Sequence, residues 1–466
     1  MDTQSLFEQA ARLAASYRAN VGESATTLPY AAMREAFDAP TPEHGAPATE
    51  VIDDLATRST PGLRAMTGPR FYGWVIGASH PVGVAADWLT AAWGQNAGNH
   101  EASPAAAAAE TVAAKWLLDL LDLPRDASVG FVTGATIANF VCLAAARGAV
   151  LRRVGWNAEA NGLFGAPPIH VAIGDDAHTS VFSALQFLGL GQDRVLRVPT
   201  DRQGRMQAPD FARVITDCSG PTIAIAQAGQ LNTGAFDPID EIAAAARRSG
   251  AWLHIDGAFG LWARACPATA HLAAGFEAAD SWATDGHKWL QTPYDCGYAI
   301  VRDAEAHRSA MTIAASYLPP VAEGDRDPTH YVPELSRRAR GFATWAMIRH
   351  LGRDGIAAMV AEHCRLAHLL SELLGREPGV HVLNDVVLNQ VIVRFGARDA
   401  GEAADQATLE TIRRVQADGT CFAGGARWRG RWVLRLSVIS APTTQADIVR
   451  TSDAICAAWR AVRGAN

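Results

Sequence analysis

The chain has 466 residues, with 41 Lys and Arg against 48 Asp and Glu, a formal charge of −7, 49% apolar residues and 19% charged ones. That balance excludes a disordered chain, and without any Lys/Arg run it leaves no electrostatic footprint for nucleic acid or an anionic membrane. At about 150 residues per domain the length allows up to roughly three domains, enough to bury one large core and a satellite without staples.

The opening MDTQSLFEQAARLAASYRAN carries early acids and no continuous apolar core ahead of a cleavage site, so it reads as a helix and not as a signal peptide. The segment after it is rich in Pro and Gly, and residues 1–85 are expected to form an arm that packs on something else. SPAAAAAETVAAKWLLDLLDLP places Ser103 at an N-cap and Pro104 at the first helical position, and it stops at Pro124. Short apolar runs then alternate with helical patterns: Gly130 to Thr133, Ile169 to Ile173, Arg194 to Val198, Thr222 to Ala226, Ala251 to Asp256 and Gly297 to Val301. This alternation predicts an α/β domain over residues 86–345, a largely parallel sheet with helices on both faces. Two uncharged stretches, Ala127 to Ala146 and Cys218 to Phe236, are broken by glycines and by Thr, Asn or Gln. They read as buried strand-turn-helix segments and not as membrane spans.

Beyond Gly341 two helices are predicted, Phe342 to Leu351 and Gly355 to Leu374, broken near Gly352. They lead into a compact α+β domain over residues 346–466. Its strands are Val380 to Leu383, Val391 to Phe395 and Trp432 to Val438, with a helix near Ala407 to Gln416 and a last one from about Thr444. The seven cysteines are odd in number, widely spaced and free of CxxC or zinc-knuckle spacing. They read as free buried thiols of a reducing compartment, the cytoplasm, with no metal site.

The chemistry concentrates in two segments. In AWLHIDGAFGLWA an apolar strand ends on Asp256, and in ADSWATDGHKWLQTPYDCGYAIV the lysine Lys288 lies between apolar runs beside His287, Trp289 and Leu290. Taken alone, an Asp at a strand end usually caps a turn and a loop Lys is usually solvated. Apolar neighbours change this, because they desolvate an ammonium and favour the neutral amine that Schiff-base chemistry needs.

With HIDGAFG and DGHKWL, the run DDAHTSVFSAL around His178 and the turn TGATIAN from Thr133 to Asn139 complete a set. Together they resemble the pyridoxal-phosphate-dependent group II amino-acid decarboxylases, of the aromatic-amino-acid or glutamate decarboxylase kind, in a bacterial-type member. The likeness runs in order from about Phe71 to the C-terminus. It implies the fold-type I PLP-dependent transferase fold, with a large mostly parallel sheet domain and a small C-terminal α+β domain. It also implies pyridoxal 5'-phosphate as cofactor, and removal of the α-carboxylate of an L-amino acid to give an amine and carbon dioxide. Relatives are homodimers whose active sites are shared and whose N-terminal arms wrap the partner, which agrees with the arm-like opening and low charged fraction here.

The resemblance assigns roles residue by residue. Lys288 carries the Schiff base and later moves protons, and Asp256 faces the pyridine nitrogen and keeps it protonated. His178 stacks on the ring, and Ala258 lets the opposite face pack closely. Gly134, Ala135 and Thr136 hold the phosphate at a helix start, Gly134 permitting close approach. Many decarboxylases have Ser or Gly where this chain has Ala135 and Thr136. His287 contacts cofactor or substrate. Asp285 is a further cofactor or substrate contact or, since an acid would repel a phosphate, it orients Lys288 or His287 instead. Gln230 and Asn232 fall beside the phenolic oxygen, although satisfying backbone groups of a Gly-rich loop is an equally good reading.

A loop tyrosine protonates the α-carbon in family decarboxylases, and its replacement diverts some relatives to aldehydes. The matching run SYLPPVAEGDRDPTHYVPELSRRARG is shorter and aligns only with a gap; Tyr331 is the available phenol and Tyr317 the second choice. Arg337, Arg338 and Arg340 after it bind a carboxylate or phosphate, or make structural ion pairs. Phe71, Tyr72 and Trp74 resemble a pocket-lining segment, with Asn96, Asn99 and His100 as polar partners, although an aromatic stripe is more often core. Trp428 and Arg435 are further substrate candidates. The rival readings are transamination, aldehyde synthesis or carbon-carbon cleavage on the same apparatus, and a cofactor-binding protein without catalysis.

Overall fold

Runs such as Thr222–Gln227 and Trp252–Asp256 are buried along almost their whole length, so they need cover on both faces. In the computed structural model they lie at the centre of a seven-stranded sheet. The structure describes residues 2–22, 27–312, 326–398 and 400–464. Their contacts group them into two units, one of residues 79–368 and 384–390, the other of residues 1–78, 369–383 and 391 onward. The opening residues thus share a unit with the C-terminal sheet instead of forming a separate arm, which differs from the expected division at residues 85 and 345.

The larger unit holds β1 (Ser128–Val132), β2 (His170–Gly174), β3 (Leu196–Val198), β4 (Thr222–Gln227), β5 (Trp252–Asp256), β6 (Ser281–Asp285) and β7 (Gly297–Val301). Their order across the sheet is β1-β7-β6-β5-β4-β2-β3. The pairs β2/β3, β2/β4, β4/β5 and β5/β6 are parallel, while β7 runs antiparallel to both β6 and β1. With β7 reversed between them, β1 and β6 point the same way. The C-terminal ends of β1, β4, β5 and β6 therefore meet at one edge, where open α/β sheets place their sites. Register makes this concrete: Gln227 pairs with Asp256, Asp285 with Gly297, and Gly297 with Val132.

Helix α1 (Ala135–Arg152) follows β1 directly, and helix α2 (Thr179–Phe187) follows the turn after β2. α1 is long and apolar enough to span a membrane, yet most of it is buried. Its Ala138, Val141 and Leu143 pack with Ile173, Ile225, Trp252 and Val301 in the core. The helix at Pro104–Leu120 starts where predicted, but Ser103 makes no capping bond; its hydroxyl meets Gln95 Oε1 at 3.1 Å. Helix α3 (Arg340–Gly375) breaks at Gly352, whose φ of 63° lies in the left-handed region that glycine tolerates.

The smaller unit has the sheet order β10-β11-β9-β8, from β8 (Val380–Val382), β9 (Gln390–Phe395), β10 (Gly424–Trp428) and β11 (Arg431–Ser437). β10/β11 and β8/β9 are antiparallel. The last helix, Gln445–Arg463, opens with a full capping box between Thr444 and Asp447. Three more helices, Thr3–Asn20, Tyr30–Phe37 and Ala48–Ser59, belong to this unit. All seven cysteines are free thiols, and all but Cys218 are buried.

Candidate active site

β5 and β6 end side by side on carboxylates, Asp256 and Asp285, only 3% and 2% exposed. The turn after β6 brings Lys288 back over its own strand end, with Nζ 2.9 Å from Asp285 Oδ2. Asp285 Oδ1 accepts the backbone N–H of Ala135 at 2.6 Å and lies 3.5 Å from His287 Nε2. One carboxylate thus links the lysine, the histidine and the start of α1. The indole of Trp262 donates to the Asp285 carbonyl at 2.9 Å and ties the strand end from behind.

His287 Nδ1 accepts the N–H of Cys296 at 3.2 Å, which leaves Nε2 as the protonated nitrogen facing Asp285. Its ring stacks on Tyr294 with centroids 4.2 Å apart. Burial pushes the His287 imidazole down, against the pull of Asp285, so it stays neutral at physiological pH. Burial likewise raises the Asp256 carboxyl, opposed by the nearby Lys288 and by the Ala258 N–H at 3.3 Å. A cation placed against Asp256 would relieve that penalty.

His178 caps α2: its Nδ1 accepts from the Ser180 N–H at 3.2 Å and faces the Ser180 hydroxyl at 2.7 Å. Gly134 begins α1 beneath this group. A Cβ there would sit 3.0 Å from His287 Cε1 and 3.3 Å from Asp285 Oδ1, and a Cβ on Gly297 would sit 2.5 Å from Gly134 Cα. Close approach requires the glycine at 297, and at 134 it leaves a Cβ little room. Among the described residues the N–H groups of Thr136 and Ile137 have no protein acceptor, and Thr136 is exposed.

The structure thus gathers Lys288, Asp285, His287, Asp256, His178, Ala258, Gly134, Ala135 and Thr136 at one sheet edge. Gln230 is turned to its own loop: Oε1 accepts from Asn232 N at 2.6 Å and Thr233 N at 3.1 Å, and Nε2 donates to the Asp176 carbonyl at 3.3 Å. That is the loop-satisfying alternative. Asn232 is buried, with Oδ1 lacking a partner.

Tyr331 is not brought to Lys288 within this chain. Its ring packs edge-on against His307 at 5.2 Å and beneath the Arg326 guanidinium at 4.6 Å, and its carbonyl accepts from His307 at 3.0 Å. A phenol held this way, 9% exposed, is packed as a core residue. Tyr317 lies outside the described residues. Arg337, Arg338 and Arg340 pair with Glu110, Asp87 and Asp295, the structural alternative. Asn96 accepts from the Arg337 N–H at 3.1 Å, Asn99 caps Ala102, and His100 pairs with Asp327 at 2.6 Å.

In the smaller unit, Phe71 and Trp74 stack on Phe422 at 5.1 and 5.7 Å, and Tyr72 is buried with its hydroxyl 3.0 Å from Thr451. Trp428 joins the core with Ile392 and Val433. Arg435 is buried, which lowers its guanidinium to about 10. Sequence reading placed a strand at Gly297 to Val301 but gave Tyr294, Cys296 and Gly297 no part in the site; YDCGY so soon after a reactive lysine is the signal that could have given them one.

Residues 30–396 match the family model described as the pyridoxal-dependent decarboxylase conserved domain. Tryptophan decarboxylase 1 of Oryza sativa subsp. japonica is 28% identical over 94% of this chain and 90% of its own length. Phenylacetaldehyde synthase of Arabidopsis thaliana is 26% identical over 91% and 86%. The crystal structure of Oryza sativa TDC with PLP and tryptamine superposes with a TM-score of 0.91 at 23% identity, covering 99% of this chain and 98% of that one.

Proposed function

We propose, for a chain that belongs to the pyridoxal-dependent decarboxylase family and has its fold-type I architecture, that Lys288, Asp256 and His178 are the residues of its reaction. That reaction is the pyridoxal 5'-phosphate-dependent decarboxylation of an amino acid. The residues fit the cofactor on their own chemistry. A buried carboxylate lifted by burial suits a protonated pyridine nitrogen, and two N–H groups without acceptors, on a helix start that two glycines keep open, suit a phosphate. The observation that carries the reading is Lys288 Nζ at 2.9 Å from a buried aspartate that also touches the α1 start.

When bound, the cofactor supplies a sink for the electron pair left as the α-carboxylate departs. The chain supplies the rest. Asp256 would hold a proton at the pyridine nitrogen, His178 and Ala258 would flank the ring, and the Thr136 and Ile137 N–H groups would donate to the phosphate. Asp285 aims the Lys288 side chain from 2.9 Å, so that Lys288 Nζ is placed to carry a proton to and from the substrate. The wholly buried Trp289 and Leu290 exclude water beside it.

The substrate reading rests on the names of the relatives, which act on tryptophan or form phenylacetaldehyde: an aromatic L-amino acid. An aldehyde product is the second reading, favoured by Tyr331 being packed on His307. A bacterial-type member, a cytoplasmic location and a homodimer complete the proposal. Only Gln9 is buried across the helices Thr3–Asn20, Tyr30–Phe37 and Ala48–Ser59, while Phe7, Tyr30, Phe37 and Leu55 are exposed, which supports a covering partner.

The test is carbon dioxide release from a panel of L-amino acids, with the organic product identified by mass. We expect release with an aromatic substrate, and loss of both turnover and the bound-cofactor absorbance in Lys288→Ala. An amine identifies a simple decarboxylase; an aldehyde with ammonia and peroxide identifies the oxidative branch. Release from no amino acid, or native turnover in Lys288→Ala, overturns the reading.

A further inference from the structure

We propose that a file of buried polar side chains, Trp252, Ser281, His254, Asn139 and Ser180, fixes the tautomer of His178, and that His254 and Asn139 are positioning residues for the cofactor ring. This rests on the role of His178 given above. The file crosses the middle of an apolar core. His254, Asn139 and Ser281 have no exposed surface, and Asn139 is the one hydrogen-bonding amide on the buried face of α1, among Ala138, Val141, Leu143 and their like. Polar groups in such a place are costly unless every member is satisfied, and here every link is present.

The polarity of the file is set at its His178 end and runs consistently back to Trp252. An indole N–H only donates, so Ser281 Oγ accepts from Trp252 Nε1 at 2.9 Å and has its own hydrogen left for His254 Nδ1, 2.9 Å away. Burial pushes the His254 imidazole down to about 3, so the ring is neutral with one donor and one acceptor. Its proton then sits on Nε2 and goes to Asn139 Oδ1 at 2.9 Å. Asn139 Nδ2 donates to Ser180 Oγ at 3.4 Å, and the Ser180 hydroxyl donates to His178 Nδ1 at 2.7 Å. At the far end the Ser180 backbone N–H, which also can only donate, reaches the same Nδ1 at 3.2 Å. The Ser180 N–H imposes the direction, and His178 is left with its proton on Nε2.

The arrangement gives His178 a fixed rotamer and a neutral ring, which is what a flat surface against an aromatic cofactor requires. Sequence explains how it is built. His254 and Asp256 are two apart on β5 and so share a sheet face, and Ser281 pairs with His254 in register on β6. One strand thus carries both the carboxylate and the support for the histidine.

The test labels histidines with 15N and follows the His178 ring nitrogens, together with the cofactor dissociation constant from absorbance titration of the apoprotein. In the unaltered protein we expect an unprotonated Nδ1 and a protonated Nε2 throughout the neutral pH range. His254→Leu and Asn139→Leu should mix the tautomers, weaken cofactor binding about tenfold and lower kcat about tenfold at unchanged KM. His254→Gln, whose Nε2 stands where the imidazole donor stood, should restore most of the affinity. Should the leucine variants fail to fold, Ser180→Ala, which deletes only the final hydroxyl, is expected to weaken binding about threefold with a visible change at Nδ1. His178 resonances and cofactor affinity unchanged in the folded variants overturn the proposal. The nitrogen shifts and the affinity need no turnover, so an unaltered protein that shows them without releasing carbon dioxide upholds the file and refutes the decarboxylation reading alone.

Discussion

Three buried carboxylates at or near strand ends, Asp256, Asp285 and Asp237, differ in work because they differ in neighbours. Asp285 is met by an ammonium and an N–H, and Asp256 by His178 and Lys288 at greater reach. Among the described residues Asp237 meets two backbone donors, Met206 N at 2.6 Å and Gln227 N at 2.7 Å, and burial raises it from 3.8 to about 6. This raised value sets the sign of its pH effect. Between those values the folded chain keeps a proton that the unfolded chain has lost, so stability falls as pH rises through that window, by on the order of 3 kcal/mol from this group. Asp237→Asn should remove that slope, at a lower baseline because its amide N–H₂ faces a backbone donor. Thermal unfolding from pH 4 to 7 checks this; parallel curves for the two proteins would refute it. At this scale the sequence told apart the acid that ends a strand before a reactive lysine, but not Gln230, whose use by Asn232 N and Thr233 N depends on how its loop closes.

The strands that alternate with helices were legible from apolar runs, and β7 coincides with Gly297 to Val301. β6 was not, because Ser281, Thr284 and Asp285 dilute SWATD to a loop-like composition. The fold satisfies those polar groups inside, Ser281 with Trp252 and His254, Asp285 with Ala135 and Lys288, and only the assembled sheet shows it. β10 was missed because GGARW begins with the residue least inclined to strands. Two glycines separate element-scale from local demands. A methyl group on Gly297 would meet the Gly134 backbone, which cannot yield without moving the start of α1. Gly297→Ala should therefore cost about 1–3 kcal/mol of stability and weaken cofactor binding markedly. Gly352 has open space around it and only its φ of 63° to defend. Gly352→Ala should cost about 1 kcal/mol and leave cofactor affinity unchanged. Denaturation and cofactor titration of both variants check the contrast, and equal affinity in the two would refute the role given to Gly297.

At the scale of the molecule, each unit exposes more apolar surface than a lone chain needs. In the smaller unit Phe7 is 56% and Leu55 54% exposed, on helices with almost no buried face. In the larger unit Trp88, Leu89 and Trp93 are about half exposed on the helix Pro81–Trp93. Together with the low charged fraction, these faces support the proposed homodimer, in which a second chain would cover them. Sedimentation should give twice the 49.4 kDa chain mass at micromolar concentration. Phe7→Asp with Leu55→Asp should raise the dissociation constant about a hundredfold or more, since each places a charge in an apolar contact. If the active sites are shared between chains, activity per chain must fall on dilution in step with the dimer fraction, and earlier in the double variant. A monomer of full activity, or a dimer in which dilution separates chains without loss of turnover, would show each site to be complete in one chain.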